Sequence, residues 1–174
     1  MYCVIDTERI KGNQIYLFSY QLYNDDFKLI ESKTFQDVSI DVSNRKSPKR
    51  KVKELDSISI KVGSFKELYE NVRYFAENNL TIVFSLTDVH TLKCNCKDNN
   101  IEYKKIKCID LQEVLYNLSD DEKHKSNLKG YCEVNGIKHN PHIPESDCEA
   151  TFKLFQDLIK RFGIDYLLSI AKEC

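Results

Sequence analysis

Asp6-Thr7-Glu8 sets two carboxylates two residues apart, directly behind the apolar run Cys3-Val4-Ile5. The run reads as a strand, and alternation along a strand puts Asp6 and Glu8 on one face, one pleat apart. Two ionised carboxylates that close repel each other unless positive charge lies between them. A hard divalent cation such as Mg²⁺, which takes oxygen ligands, fills that need. An edge strand with two solvated acids has the same spelling, so the pair acquires meaning only in company. Asp88 follows a strand-like segment, Thr81–Ser85, and falls in the first turn of the next helix. Its plainer reading is local, because Ser85-Leu86-Thr87-Asp88 spells a capping box and acids favour helix N-termini. Asp147 falls in the first turn of a late helix opened by Pro144 and Ser146, and His142 lies five residues earlier on the incoming loop. Three other histidines, His90, His124 and His139, compete with His142 for any role.

The elements that must position these residues follow from patterning. Tyr2–Glu8, Ile15–Tyr23 and Phe27–Phe35 read as three strands joined by the turn chemistry of Lys11-Gly12-Asn13 and Asn24-Asp25-Asp26. Tyr16, Phe18, Tyr20 and Tyr23 offer rings that could stack bases. Three of them share a strand face at period two, which favours core packing. Ser64 and Glu67 form a capping box for a helix to Asn78, with Phe65, Leu68, Val72 and Phe75 as its apolar stripe. A second helix is expected from about Leu86 toward Lys97, and a strand over Lys105–Ile109. Helices are then expected over Asp110–Asn117, roughly Ser126–Asn135, Glu145–Phe162 and Asp165–Lys172. A meander, then alternating helix and strand, then C-terminal helices predict an α/β fold. That order suits a mixed sheet, an antiparallel meander plus parallel strands flanked by helices, as in the ribonuclease H-like fold.

The chain of 174 residues suffices for a single domain over 1–174 with a real core. Its net charge of −1 argues against a protein that wraps duplex DNA over a large face, and leaves room for an enzyme with a local basic patch. Such a patch is offered by Ser43–Lys53, with Arg45, Lys46, Lys49, Arg50, Lys51 and Lys53, expected to be a loop that either steers nucleic acid or is simply solvated. The seven cysteines are odd in number and irregularly spaced, no signal-peptide pattern precedes them, and no apolar run reaches the ~20 residues of a membrane span. Free thiols in a reducing cytoplasm are expected. Cys94-x-Cys96 with Cys132, His139 and Cys148 lacks the paired spacing of a zinc site.

In order and context, the strand D-x-E, the Asp at a strand–helix junction and the H-x₄-D opening a late helix resemble the DEDDh exonucleases, the DnaQ-like 3′–5′ exonuclease family. Cys3–Glu8 resembles the family's first motif, Thr81–Asp88 the second, and His142 with Asp147-Cys148-Glu149-Ala150 the third. Cys108-Ile109-Asp110-Leu111 is similar to a short strand and Asp found between the second and third motifs. The resemblance implies a 3′–5′ exonuclease acting on single-stranded DNA or RNA, with two Mg²⁺ or Mn²⁺ ions held by Asp6, Glu8, Asp88 and Asp147. Asp6 would bridge the ions, Asp88 would reach its ion through water, and His142 would take the proton from the attacking water. Arg9 stands where members often have Thr, Val83-Phe84 where many carry a His-Asn or Trp-Gly pair, and a Leu-Thr-Gly-Ile segment is missing. Those departures keep a second reading in view: a weakly active or inactive nucleic-acid-binding or regulatory module on the same fold. Neither a membrane nor a homodimer is indicated.

Overall fold

The computed structural model describes residues 1–10, 13–42, 59–117 and 127–174. The basic segment 43–53 and His124 lie outside the described residues. Strands β1 (Tyr2–Arg9), β2 (Ile15–Tyr23) and β3 (Leu29–Asp37) form the expected antiparallel meander. All nine positions of β2 are buried, because it lies inside the sheet and both faces are covered. That accounts for its unbroken run of apolar and aromatic residues. Tyr16, Phe18, Tyr20 and Tyr23 are buried core residues: Tyr20 stacks on Phe75 and Tyr23 on Phe152.

A three-residue strand, β4 (Ile60–Val62), runs parallel to β3 and leads into α1 (Phe65–Asn78). Ser64 caps this helix by accepting the Glu67 N–H at 3.2 Å. The return half of the box shifts by one residue, with the Glu67 carboxylate accepting Gly63 N–H at 2.7 Å. Next come β5 (Leu80–Val83), α2 (Thr87–Asp98), β6 (Lys107–Asp110) and the short α3 (Leu111–Tyr116). They are followed by α4 (Leu128–Val134), α5 (Pro144–Phe162), α6 (Ile164–Ser169) and β7 (Lys172–Glu173). Strand order is β4-β3-β2-β1-β5-β6-β7, with β5 parallel to β1, β6 parallel to β5 and β7 antiparallel to β6.

Helices cover both faces, so the mixed α/β architecture is as predicted. α1 and α2 pack on the face carrying Cys3, Ile5, Phe18 and Tyr20, while α5 packs on the opposite face with Val4, Ile82 and Ile109. Phe155 of α5 is fully buried and lies 5.4 Å from the Tyr2 ring. Burying such a ring contributes roughly 1.5–3 kcal/mol, and it sets the distance between α5 and β1. Two elements differ from expectation. β4 was not predicted, and the helix expected over Asp165–Lys172 stops at Ser169, after which Lys172–Glu173 joins the sheet edge. Backbone pairing of Ile106 with Cys174, at 3.0 and 3.1 Å, extends that edge. Strands of two or three residues are too short to show a period.

Candidate active site

Asp6 and Glu8 occupy the carboxyl-terminal half of β1, opposite Ser19 and Leu17 of β2. They share the face on which α5 packs. A bulge between Glu8 and Arg9 ends the regular ladder beside them, as bulges often do where a strand must re-aim its side chains. Asp147 is the fourth residue of α5, behind Pro144 at the first position, and is buried. The carboxylates of Asp6, Glu8 and Asp147 each place an oxygen within 4.8 Å of the others.

Asp88 comes from α2 on the other side of the sheet. The capping box open to it is not made: Leu86 occupies the cap position, with no side-chain cap bond. The carboxylate is turned instead toward β1, where Thr7 donates to Asp88 Oδ1 from its backbone N–H at 3.2 Å and from its hydroxyl at 2.6 Å. Thr7, between the two acids, thus fixes a third acid beside them. Alternation sends its side chain to the opposite face from Asp6 and Glu8, the face on which α2 packs. Arg9 donates to the Thr91 hydroxyl at 2.9 Å and adds positive charge near Asp88. Asp110, the acid between the second and third motifs, has a structural task. Its carboxylate caps α3 and accepts Leu86 N–H at 3.3 Å, tying the start of α2 to β6.

Crowding shows in the protonation of the group. Burial pushes Asp6 well above the ordinary carboxylate range, and the neighbouring Asp88, Asp147 and Glu8 push it further. Asp6 Oδ2 is buried with no hydrogen-bond partner. Burial also raises Glu8, against a lowering pull from His142, and raises Asp147, against hydrogen bonding from His139. Asp88 is raised by burial to about 6, opposed by Thr7 and Arg9. Four carboxylates made reluctant to ionise, one with an orphaned buried oxygen, fit a site completed by cations. The all-oxygen donor set suits a hard divalent ion.

The two nearby histidines divide sharply. The His142 side chain is 67% exposed, with Nδ1 3.3 Å from Glu8 Oε1, and its backbone adopts a left-handed φ of 65°. Its N–H donates to Asp147 Oδ2 at 3.0 Å. The His139 side chain is only 5% exposed and its Nε2 hydrogen-bonds Asp147 Oδ1. Spacing in the sequence does not reveal that His139 reaches Asp147. His90 lies apart, next to Cys94 on α2. The residues of the imagined zinc site are spread over the fold, Cys96 in the core under α1 and α2, Cys132 and Cys148 in the core under α5.

The acids and His142 line a cleft of about 560 Å³, whose walls include Phe84, Arg9 and Lys129. No helix among the described residues is long and apolar enough to cross a membrane.

No protein-family model matches the chain, and no curated protein sequence matches it. Solved structures do. The nuclease domain of 3′hExo, a DEDDh family member solved with rAMP, superposes with a TM-score of 0.65 at 13% identity, over 99% of this chain and 95% of that one. A 3′-exonuclease that recognises the 3′ end of a histone mRNA stem-loop gives 0.66 at 14% identity, over 93% and 82%. ExoI, from its complex with SSB-Ct, gives 0.68 at 15% identity, over 97% of this chain and 43% of that one. At these identities what is shared is the fold, and the chain has the ribonuclease H-like fold of the DEDDh nuclease domains.

Proposed function

We propose that the protein is a divalent-metal-dependent exonuclease, acting as one domain, that removes nucleotides from the 3′ end of single-stranded DNA or RNA. The observation that carries this reading is the convergence of Asp6, Glu8 and Asp147, with Asp88 tied alongside through Thr7, at one end of β1. The likeness in fold to 3′ exonucleases supports it.

Asp6, Glu8 and Asp147 would hold Mg²⁺ or Mn²⁺, with Asp88 completing a two-ion site. Such ions supply charge neutralisation at the phosphate and lower the pKa of water. The chain supplies the rest. His142, at the mouth of the cleft, engages Glu8 through Nδ1, which leaves Nε2 free to accept the proton of the attacking water. Phe84 offers a ring on the cleft wall against which a terminal base can stack. Lys129, on the same wall, brings positive charge to a phosphate.

The test uses 5′-labelled single-stranded DNA and RNA of one sequence, with Mg²⁺ or Mn²⁺. A ladder shortening from the 3′ end and abolished by EDTA is expected. Cleavage that persists when the 3′ end is blocked would replace this reading with an endonuclease. Binding without any shortening would be the behaviour of the nucleic-acid-binding module.

A further inference from the structure

His139 has no part in the chemistry just described, yet it is the most deeply placed imidazole at the site. Its side chain is 5% exposed, and its Nε2 hydrogen-bonds Asp147 Oδ1. With Asp147 ionised, Nε2 is the donor. The other oxygen of the same carboxylate receives His142 N–H at 3.0 Å. Asp147 is therefore held at both oxygens, while still offering one within 4.8 Å of donors on Asp6 and Glu8. His139 is not a member of that converging group, and a nitrogen that donates to Asp147 is not available to an ion. Its remaining ring nitrogen, Nδ1, is buried without a partner.

The loop carrying His139 is stitched to the start of α5. Asn140 N–H donates to Ser146 Oγ at 2.9 Å, Ile143 N–H to Asn140 O at 3.3 Å, and Asp147 N–H to Ile143 O at 2.9 Å. The imidazole therefore meets Asp147 from a backbone that is itself fixed to the same helix turn. An aspartate otherwise free to rotate about its side-chain bonds is held in one orientation before any ion arrives. Hydrogen bonds of this kind to ligating groups sustain metal affinity, and their loss typically weakens it by roughly 10- to 100-fold.

We propose that His139 is a positioning residue that locks the Asp147 carboxylate in the orientation required for a divalent cation. The proposal rests on the metal-site reading above. The probe is Mn²⁺ alone, titrated calorimetrically into substrate-free protein for the wild type, His139→Ala, His139→Gln and Asp6→Asn. Glutamine retains a side-chain N–H donor. His139→Ala should bind Mn²⁺ about tenfold or more weakly, and His139→Gln should recover most of that loss. Melting temperatures in EDTA check that both His139 variants fold.

Rescue by glutamine is a readout that a merely space-filling ring would not give. The proposal is overturned if His139→Ala binds Mn²⁺ as the wild type does or more tightly, or if alanine and glutamine weaken binding equally. Normal Mn²⁺ binding by both His139 variants with turnover abolished in both also overturns it, because His139 would then be acting on substrate or water. Wild type that binds no Mn²⁺, or binds it no better than Asp6→Asn, overturns the metal-site reading and the proposal with it.

Discussion

Asp88→Asn should make the metal-free protein more stable at neutral pH, and the gain should disappear in acid. In the folded chain, burial raises Asp88 from 3.8 to about 6 even though Thr7 and Arg9 act against the rise. A folded-state pKa above the unfolded one means that folding favours the protonated acid. The stability linked to this group is therefore fully present below about pH 4, falls as pH climbs through about 6, and is gone at pH 7.5. That rise corresponds to about 3 kcal/mol. Asparagine avoids that cost, and its carbonyl oxygen can accept the same two hydrogen bonds from Thr7. The gain of about 3 kcal/mol, already net of the opposition from Thr7 and Arg9, should raise the melting temperature by roughly 6–12 °C for a chain of this size. Thermal unfolding followed by circular dichroism in EDTA, at pH 4.5 and pH 7.5, measures it. A variant that melts at or below the wild type at pH 7.5, or that shifts equally at both pH values, would show that unneutralised carboxylates do not crowd this site.

Other consequences are open to simple measurements. Thr7→Val removes the 2.6 Å hydroxyl donor to Asp88 but keeps the backbone one. It should lose about 1–2 kcal/mol in urea unfolding at pH 7.5, and less below pH 4, where Asp88 is neutral. Phe155→Ala, at a fully buried position between α5 and β1, should cost about 3–5 kcal/mol in the same assay. His142→Ala should lower turnover about 100-fold or more while leaving Mn²⁺ binding near the wild-type value, since the exposed ring touches only Glu8 in the cluster.

The sequence carried the strands that hold Asp6 and Glu8, because a long apolar run interrupted by acids at period two has no other regular home. It also carried α1 and α5, helices of 14 and 19 residues that each bear an apolar stripe. β4 and β7 escaped it because their two or three residues pair only through contacts made elsewhere in the chain. The site was legible as a set of acids but not as an arrangement. Whether Asp88 caps its own helix or faces β1 depends on Thr7, 81 residues away, and no local pattern decides between the two. The roles of the histidines were equally hidden. The left-handed backbone at His142 turns that ring outward, and the loop brings His139 back onto Asp147. Loop geometry of this kind is fixed by Ser146, Asn140 and the helix start together, and spacing alone does not encode it.

On the function proposed above, the carboxylates around Asp6 support divalent-ion-dependent removal of nucleotides from a 3′ end. Asp6→Asn keeps the size of the side chain while removing the charge at the centre of the cluster. The decisive measurement is the initial rate of mononucleotide release from a single-stranded substrate in Mn²⁺, wild type beside Asp6→Asn. The wild type should release mononucleotides and the variant should do so at least about 100-fold more slowly. Equal rates in the two proteins would contradict that function.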